Sequence, residues 1–257
     1  MSKSGSSTFV KRGTTRFPSI PGTRPSVHNT SQLLTPSGVP DLDLLLGGGI
    51  PVGSVVLVKD DHKGDGGDAL GECEPTPPHS RLFLKYFLAE GVAQSHGVFY
   101  GSCQHDAAGY LASLPEIVDQ QEPARLPEKG ADDKLTIAWR YKDTNQSSPP
   151  GSGNNVKHHF NLQKNISEER LAACDSHTWT CDDNAADNQY VELFKKVKGV
   201  IEESEEYSIA PPKSSVAKKG LLRIGVESAG SLLWGTDPEC TELFRFLFAL
   251  RSLCRTR

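Results

Sequence analysis

The sequence predicts an α/β fold, a mostly parallel sheet whose strands are joined by crossover helices. Three observations predict it. Short β-forming runs recur along the chain at Val55–Val58, Val98–Gly101, Leu135–Tyr141 and Leu221–Ser228. Segments of helical periodicity lie between them, and a parallel neighbour needs a long crossover that a helix supplies. The composition, 36% hydrophobic and 23% charged over 257 residues, is enough for a real core, while 24 glycines and 17 prolines call for sizeable loops beside it.

The elements follow in order. Residues 1–19 are small, polar and basic, the composition of a disordered tail. Residues 20–257 form the domain. Pro21 and Pro25 keep Ser19–Ser37 extended. Asp41–Leu46 reads as a short helix, Gly47–Gly49 as a tight turn, and Val55–Val58 as a buried strand. Flexible loops are expected at about 59–80, 119–133, 142–186 and 208–219, where Gly, Pro, Asp and Ser dominate or no period is visible. Arg81–Gly91 is a helix whose apolar positions wrap most of its surface, so it should be well buried. Val98–Gly101 is a short strand, and Ala107–Leu114 a short helix stopped by Pro115. Leu135–Tyr141 alternates β-formers. Asp187–Glu206 carries Tyr190, Val191, Phe194, Val197 and Val200–Ile201 on one stripe. Leu221–Ser228 is a buried strand ending in a carboxylate, and Glu239–Arg255 a final helix.

Several function classes are disfavoured. The formal charge of −4 gives no global attraction to nucleic acid, so any such contact must be local. Six cysteines without framework spacing fit a reducing compartment. No run approaches the roughly 20 apolar residues of a membrane helix, so no membrane association is expected. The basic N-terminus has no apolar core of a secretory signal and no helical period, which favours a flexible cytosolic tail.

The most informative stretch is Ser37–Val58: short helix, glycine turn, strand. RecA-like ATPase domains enter their phosphate-binding strand in this way. A working phosphate loop then needs G-x-x-x-x-G-K-[ST], whose amides cradle phosphate while Lys and Ser/Thr reach the outer phosphates and Mg²⁺. Here the strand runs into Lys59-Asp60-Asp61-His62-Lys63-Gly64-Asp65-Gly66-Gly67-Asp68. Gly-Lys-Ser/Thr is absent, and the acids would repel a polyphosphate. Gly47–Gly49 precedes the strand, whereas a phosphate loop follows one, so these glycines serve the turn.

Further segments join this motif: Phe17–Ser26, Leu82–Gly91, Ile137–Tyr141, Leu222–Gly225 and Leu232–Gly235. Together and in this order they resemble the PAXNEB family. The resemblance implies a RecA-like fold lacking a standard Walker A. It implies a hexameric ring built with two related RecA-like subunits, two copies of each. That ring belongs to the Elongator complex, which modifies the wobble uridine of tRNA in cytoplasm and nucleus, with the radical and acetyl-transfer chemistry on a separate catalytic subcomplex. It implies no cofactor of this subunit's own, with ATP associated at the level of the ring. By analogy with RecA-like sheets, the strand that would lie between Val55–Val58 and Leu222–Val226 is not in this sequence. The domain is therefore expected to be partial, with those two strands lacking a shared neighbour. The alternatives are a free-standing ATPase of the recombinase or clock-protein type, which the missing Gly-Lys-Ser/Thr opposes, and an inert fragment.

Candidate sites follow from the residues. Glu227 sits where a Walker B carboxylate would lie, at a strand end after four apolar-rich residues; its alternative is a polar strand cap. Cys174, His177 and Cys181 supply only three local zinc ligands, short of the usual four, so no metal site is expected. On a strand, Trp139 and Tyr141 share one face and Arg140 takes the other; Trp139 is read as core and Arg140 as an interface or RNA candidate. Lys213, Lys218, Lys219 and Arg223 form a local basic cluster, of which Lys218, Lys219 and Arg223 are candidate contacts to tRNA phosphates, the alternative being a solvated linker. Arg24, stiffened by flanking prolines, is an interface candidate.

Overall fold

The computed structural model describes residues 20–29, 31–60, 79–104, 106–118, 158–181, 188–207, 220–235, 237 and 239–256. The strand expected at Leu135–Tyr141, with Trp139 and Arg140, and the lysines 213, 218 and 219 lie outside them.

The N-terminal segment forms a small antiparallel meander. β1 (Arg24–Pro25) pairs with β2 (Leu33–Thr35), which pairs with β3 (Ile50–Pro51). Between β2 and β3 lies α1 (Pro40–Leu45), started by proline at its first position, where a missing N–H costs nothing. The chain then runs to α2 (His79–Ala93), β4 (Gly97–Ser102), α3 (Ala107–Ala112) and β5 (Pro115–Ile117). Next come β6 (Phe160–Asn165), α4 (Glu168–Ala172), β7 (Ser176–Thr180) and α5 (Gln189–Glu203). β8 (Leu222–Val226) and α6 (Thr241–Thr256) follow.

The centre is a parallel sheet of order β7-β4-β8. This is the expected mixed α/β architecture with crossover helices. β4 is buried along its whole length because it has a neighbour on each edge and helices on both faces. Strand alternation divides the core in two. Val98 and Tyr100 join Leu88, Ala89 and Leu111 on the α2–α3 face. Phe99, Ile224 and Val226 join Leu193, Val197, Phe246 and Leu250 on the α5–α6 face. Gly225 faces α2, and a Cβ there would lie 2.7 Å from Leu84 Cδ1, so the glycine lets α2 pack directly on β8. No helix of the described residues is long and apolar enough to cross a membrane.

Two expectations need correction. Val55–Val58 is not a buried strand: it has no regular secondary structure and pairs with nothing among the described residues, and Leu57 is 79% exposed. Its two ends are nevertheless anchored. Gly53 packs against the carbonyl of Cys254 in the last turn of α6, and Asp60 binds the start of α2. A strand is completed by a neighbour's backbone, not by its own side chains, and β8, its expected companion one position away, is bonded only to β4 here. The second correction concerns 142–186, expected as loop. Residues 160–180 of it carry β6, α4 and β7. β7 reads Ser-His-Thr-Trp-Thr, and its single large apolar residue gives no alternation to detect. Its pairing with β4, Val98↔Ser176 through Ser102↔Thr180, makes it a strand.

Candidate functional site

β8 places three consecutive same-face residues against α2: Arg223, Gly225 and Glu227. Register pairs Val98 with Arg223 and Tyr100 with Gly225, so Ser102 falls beside Glu227. The strand therefore carries a cation at one end of this face and a carboxylate at the other.

Glu227 is 6% exposed. Its Oε2 accepts a hydrogen bond from the Tyr100 phenol and lies 3.5 Å from Ser102 Oγ. Its Oε1 is 3.2 Å from Arg81 Nε, an ion pair without hydrogen-bond alignment. Behind it the rings of Tyr100 and Tyr110 stack with centroids 4.0 Å apart. Arg81 and Lys85, one turn apart on α2, lie 5.4 and 5.5 Å from the Tyr110 centroid. Burial first, and then the Glu227 carboxylate, pushes the Tyr100 phenol far above its ordinary range, so it stays protonated and donates. Burial, with Arg81 next, lowers Lys85, whose ammonium donates to Ser113 O and Oγ. Both oxygens of Glu227 are thus engaged by the protein itself. The arrangement is a clasp joining β8, β4 and α2 rather than an open metal ligand. We predict that Glu227→Gln costs about 1–3 kcal/mol of stability, the range for a buried charged hydrogen bond, and leaves nucleotide turnover of any assembly containing the chain unchanged. Lost turnover with an unchanged melting temperature would instead give Glu227 a chemical role.

The second feature is the N-terminus of α2. The positive end of a helix attracts anions, and a phosphate loop places phosphate there. Here Asp60 Oδ1 accepts from Ser80 N at 2.9 Å, and Oδ2 accepts from Ser80 Oγ. A carboxylate of the chain itself thus caps the start of α2. Asp60→Ala should destabilise by about 0.5–2 kcal/mol, as loss of a helix cap does; an unchanged urea midpoint would remove the capping role.

Arg223, grouped above with the basic cluster as a phosphate contact, is instead interior, at 1% exposure. Nε donates to His96 Nδ1 at 3.1 Å, Nη1 to the carbonyls of Pro36 and Phe87 at 2.8 and 3.0 Å, and Nη2 to Thr35 Oγ1 at 2.8 Å. Strand alternation turns it inward, and Glu90 and Asp43 offset its charge. Burial nonetheless lowers its pKa to about 10. His96 in turn lies 2.7 Å from Pro21 O through Nε2. Because Nδ1 accepts from Arg223, the ring proton sits on Nε2 and is donated to Pro21. The segment before β1 and the end of β2 are thereby fastened to the core. Arg24 is also used internally: Nε donates to Gly48 O at 3.2 Å, and a Cβ on Gly48 would overlap its guanidinium, so the glycine turn fits around Arg24.

Cys174, His177 and Cys181 do not converge. Cys174 Sγ donates to His96 O, Cys181 Sγ approaches Cys103 O, and His177 Nε2 lies 2.9 Å from Asp175 Oδ1. No cluster of three metal-binding side chains occurs among the described residues. Cavities of about 190 Å³ beside Tyr190 and Leu243 and about 370 Å³ beside Trp179 and Lys196 lie on the α5–α6 side, across the sheet from Glu227. Glu227 stands out in the sequence, whereas Asp60 as a cap, Arg81, Tyr100, His96 and Glu90 do not. The Arg81/Lys85 spacing was the one available signal.

Comparison with known proteins adds the lineage. The PAXNEB protein family model matches residues 16–257. The chain is 36% identical to Elongator complex protein 4 of Xenopus laevis over 96% of its own length and 63% of that protein's. It is 31% identical to the proteins of that name from Danio rerio and Homo sapiens, covering 96% and 99% of itself and 64% of each. It thus spans just under two thirds of the length of these relatives. With a family match running through the N-terminal meander, the α2 cap and the Glu227 clasp, the chain belongs to the PAXNEB family.

Proposed function

We propose that this chain is a subunit of Elongator. In this reading it contributes a RecA-like domain to a hexameric ring with two related subunits, and the ring helps the catalytic subcomplex handle tRNA for wobble-uridine modification in cytoplasm and nucleus. Its part is scaffolding and RNA presentation, not hydrolysis of ATP by its own residues. The relatives named Elongator complex protein 4, aligned over nearly the whole chain, support the complex. The observation that supports the non-hydrolysing role is Asp60, whose carboxylate caps the start of α2 and would repel a phosphate there. Arg140, Lys218 and Lys219 are the candidate RNA contacts, Arg223 being spent internally.

The test is co-expression of this chain with the two other ring subunits, followed by native mass measurement. A three-component hexamer is expected. Failure to associate, with a folded chain, would overturn the ring assignment. Lys218→Ala with Lys219→Ala should weaken tRNA binding by the assembled ring and flatten its salt dependence, because a phosphate that the protein no longer neutralises keeps its counterions. An unchanged salt slope would exclude this pair. ATP hydrolysis by the isolated chain would favour the free-standing ATPase.

A further inference from the structure

The geometry points to a modification site at the end of the sheet: we propose that Cys103 and Cys181 form a reversible disulfide that ties β4 to β7.

The argument begins with register. β4 and β7 are parallel partners through Ser102↔Thr180. The ladder continues one step further, because Cys181 N donates to Ser102 O at 3.3 Å. Cys103 and Cys181 therefore follow directly on the paired ends of the two strands, Cys103 in the bend that closes β4. Neighbouring strands lie about 4.8 Å apart, inside the Cα separation of about 4.4–6.8 Å that a disulfide spans. Cys103 packs with Trp179 on the α5–α6 face, and Cys181 Sγ lies 3.6 Å from the Cys103 carbonyl oxygen. Both residues are partly exposed, so small oxidants reach them, and in this structure both are thiols. Cys174 is different: it donates to His96 O, and burial raises it to about 11, which suppresses the reactive thiolate.

The chemistry balances with a disulfide oxidant such as oxidised glutathione. One thiolate attacks a glutathione sulfur and expels one glutathione thiolate, leaving a mixed disulfide. The second thiolate then attacks the protein sulfur and expels the second glutathione. Two protein thiols have become one disulfide, their two protons end on the two expelled glutathione thiolates by way of solvent, and the oxidant has become two reduced glutathiones. In a reducing compartment such a bond is transient and reports oxidation. It would fix the points where the chain leaves the sheet toward α3 and α5. Cys240 is the rival partner, since it and Cys103 both act electrostatically on Tyr190 in the first turn of α5.

The experiment titrates the full chain with mixtures of oxidised and reduced glutathione and maps its peptides without reduction. The expected product links the Cys103 and Cys181 peptides, protects both from alkylation, reverses with dithiothreitol and raises the melting temperature. In C181S, Cys103 should instead retain glutathione as a stable mixed disulfide. The proposal is overturned if wild-type chain holds glutathione at both positions without cross-linking, if Cys103 links to Cys240, or if both thiols stay alkylatable under oxidising mixtures. Mapping the wild-type protein decides this even where a serine variant fails to fold.

Discussion

Arg223→Ala is expected to cost about 3–5 kcal/mol of folding stability, as removing one member of a buried charged network does. The loss is large because of what remains. The carbonyls of Pro36 and Phe87, the Thr35 hydroxyl and His96 Nδ1 all lose their donor at once. Glu90, 2% exposed, loses the nearby cation, keeping its contacts to Gln94 and His158. The guanidinium also lies 4.8 Å over the Phe87 ring. Arg223→Lys should rescue little, because an ammonium cannot reproduce a planar fork aimed at four acceptors. Urea unfolding measures the cost. Hydrogen exchange should show the meander of β1–β3 loosening first, since Arg223 holds it to β8. Exchange that stays uniform, with an unchanged midpoint, would mean that the network fastens nothing.

The second expected result concerns pH. His96, 1% exposed, has its pKa lowered from 6.5 to about 4, first by burial and then by Arg223. The folded state therefore refuses a proton that the unfolded chain accepts below about pH 6.5. The stability associated with neutral His96 is present in full above that pH and is lost as pH falls toward 4. The loss reaches about 2 kcal/mol at pH 5 and on the order of 3 kcal/mol below the folded pKa. Comparing wild type with His96→Gln at pH 7.5 and pH 5 isolates this group from Asp43, whose burial raises its own pKa and acts in the opposite sense. The variant should be less stable at pH 7.5 yet lose less on acidification. Equal losses in both proteins would show that His96 takes up its proton without unfolding.

Much of the fold is legible in the residues because it rests on local periodicity. Of the stripe Tyr190, Val191, Phe194, Val197 and Val200–Ile201 that marks α5, Tyr190, Val197, Val200 and Ile201 are buried and Phe194 is partly buried, whereas Val191 is exposed and Leu193 takes a core position instead. The apolar run of 81–91 marks α2, which the structure extends to His79–Ala93. The strand at 221–228 is recovered as Leu222–Val226 with Glu227 at its end. Where local pattern fails, the cause is pairing. β7 is mostly polar and becomes a strand through β4, while the apolar run Val55–Val58 finds no strand partner among the described residues.

The candidate site divides along the same line. Glu227 was visible as a carboxylate at a strand end, and the missing phosphate-loop lysine as an absent motif. That Glu227 is fully engaged depends on Tyr100, 127 positions away, and on Arg81. Arg223 looks like a basic surface residue beside Lys218 and Lys219 until strand alternation turns it into the core. By itself, then, the sequence determined the family, the α/β class and the loss of the standard phosphate grip, since these are matters of residue type and short-range order. Tertiary structure alone decided that Asp60 caps the start of α2, that Arg223 and His96 fasten the N-terminal meander, and that Cys181 Sγ lies beside the Cys103 carbonyl. Each of these depends on groups brought together across the chain, and neither burial nor register is encoded in any one segment.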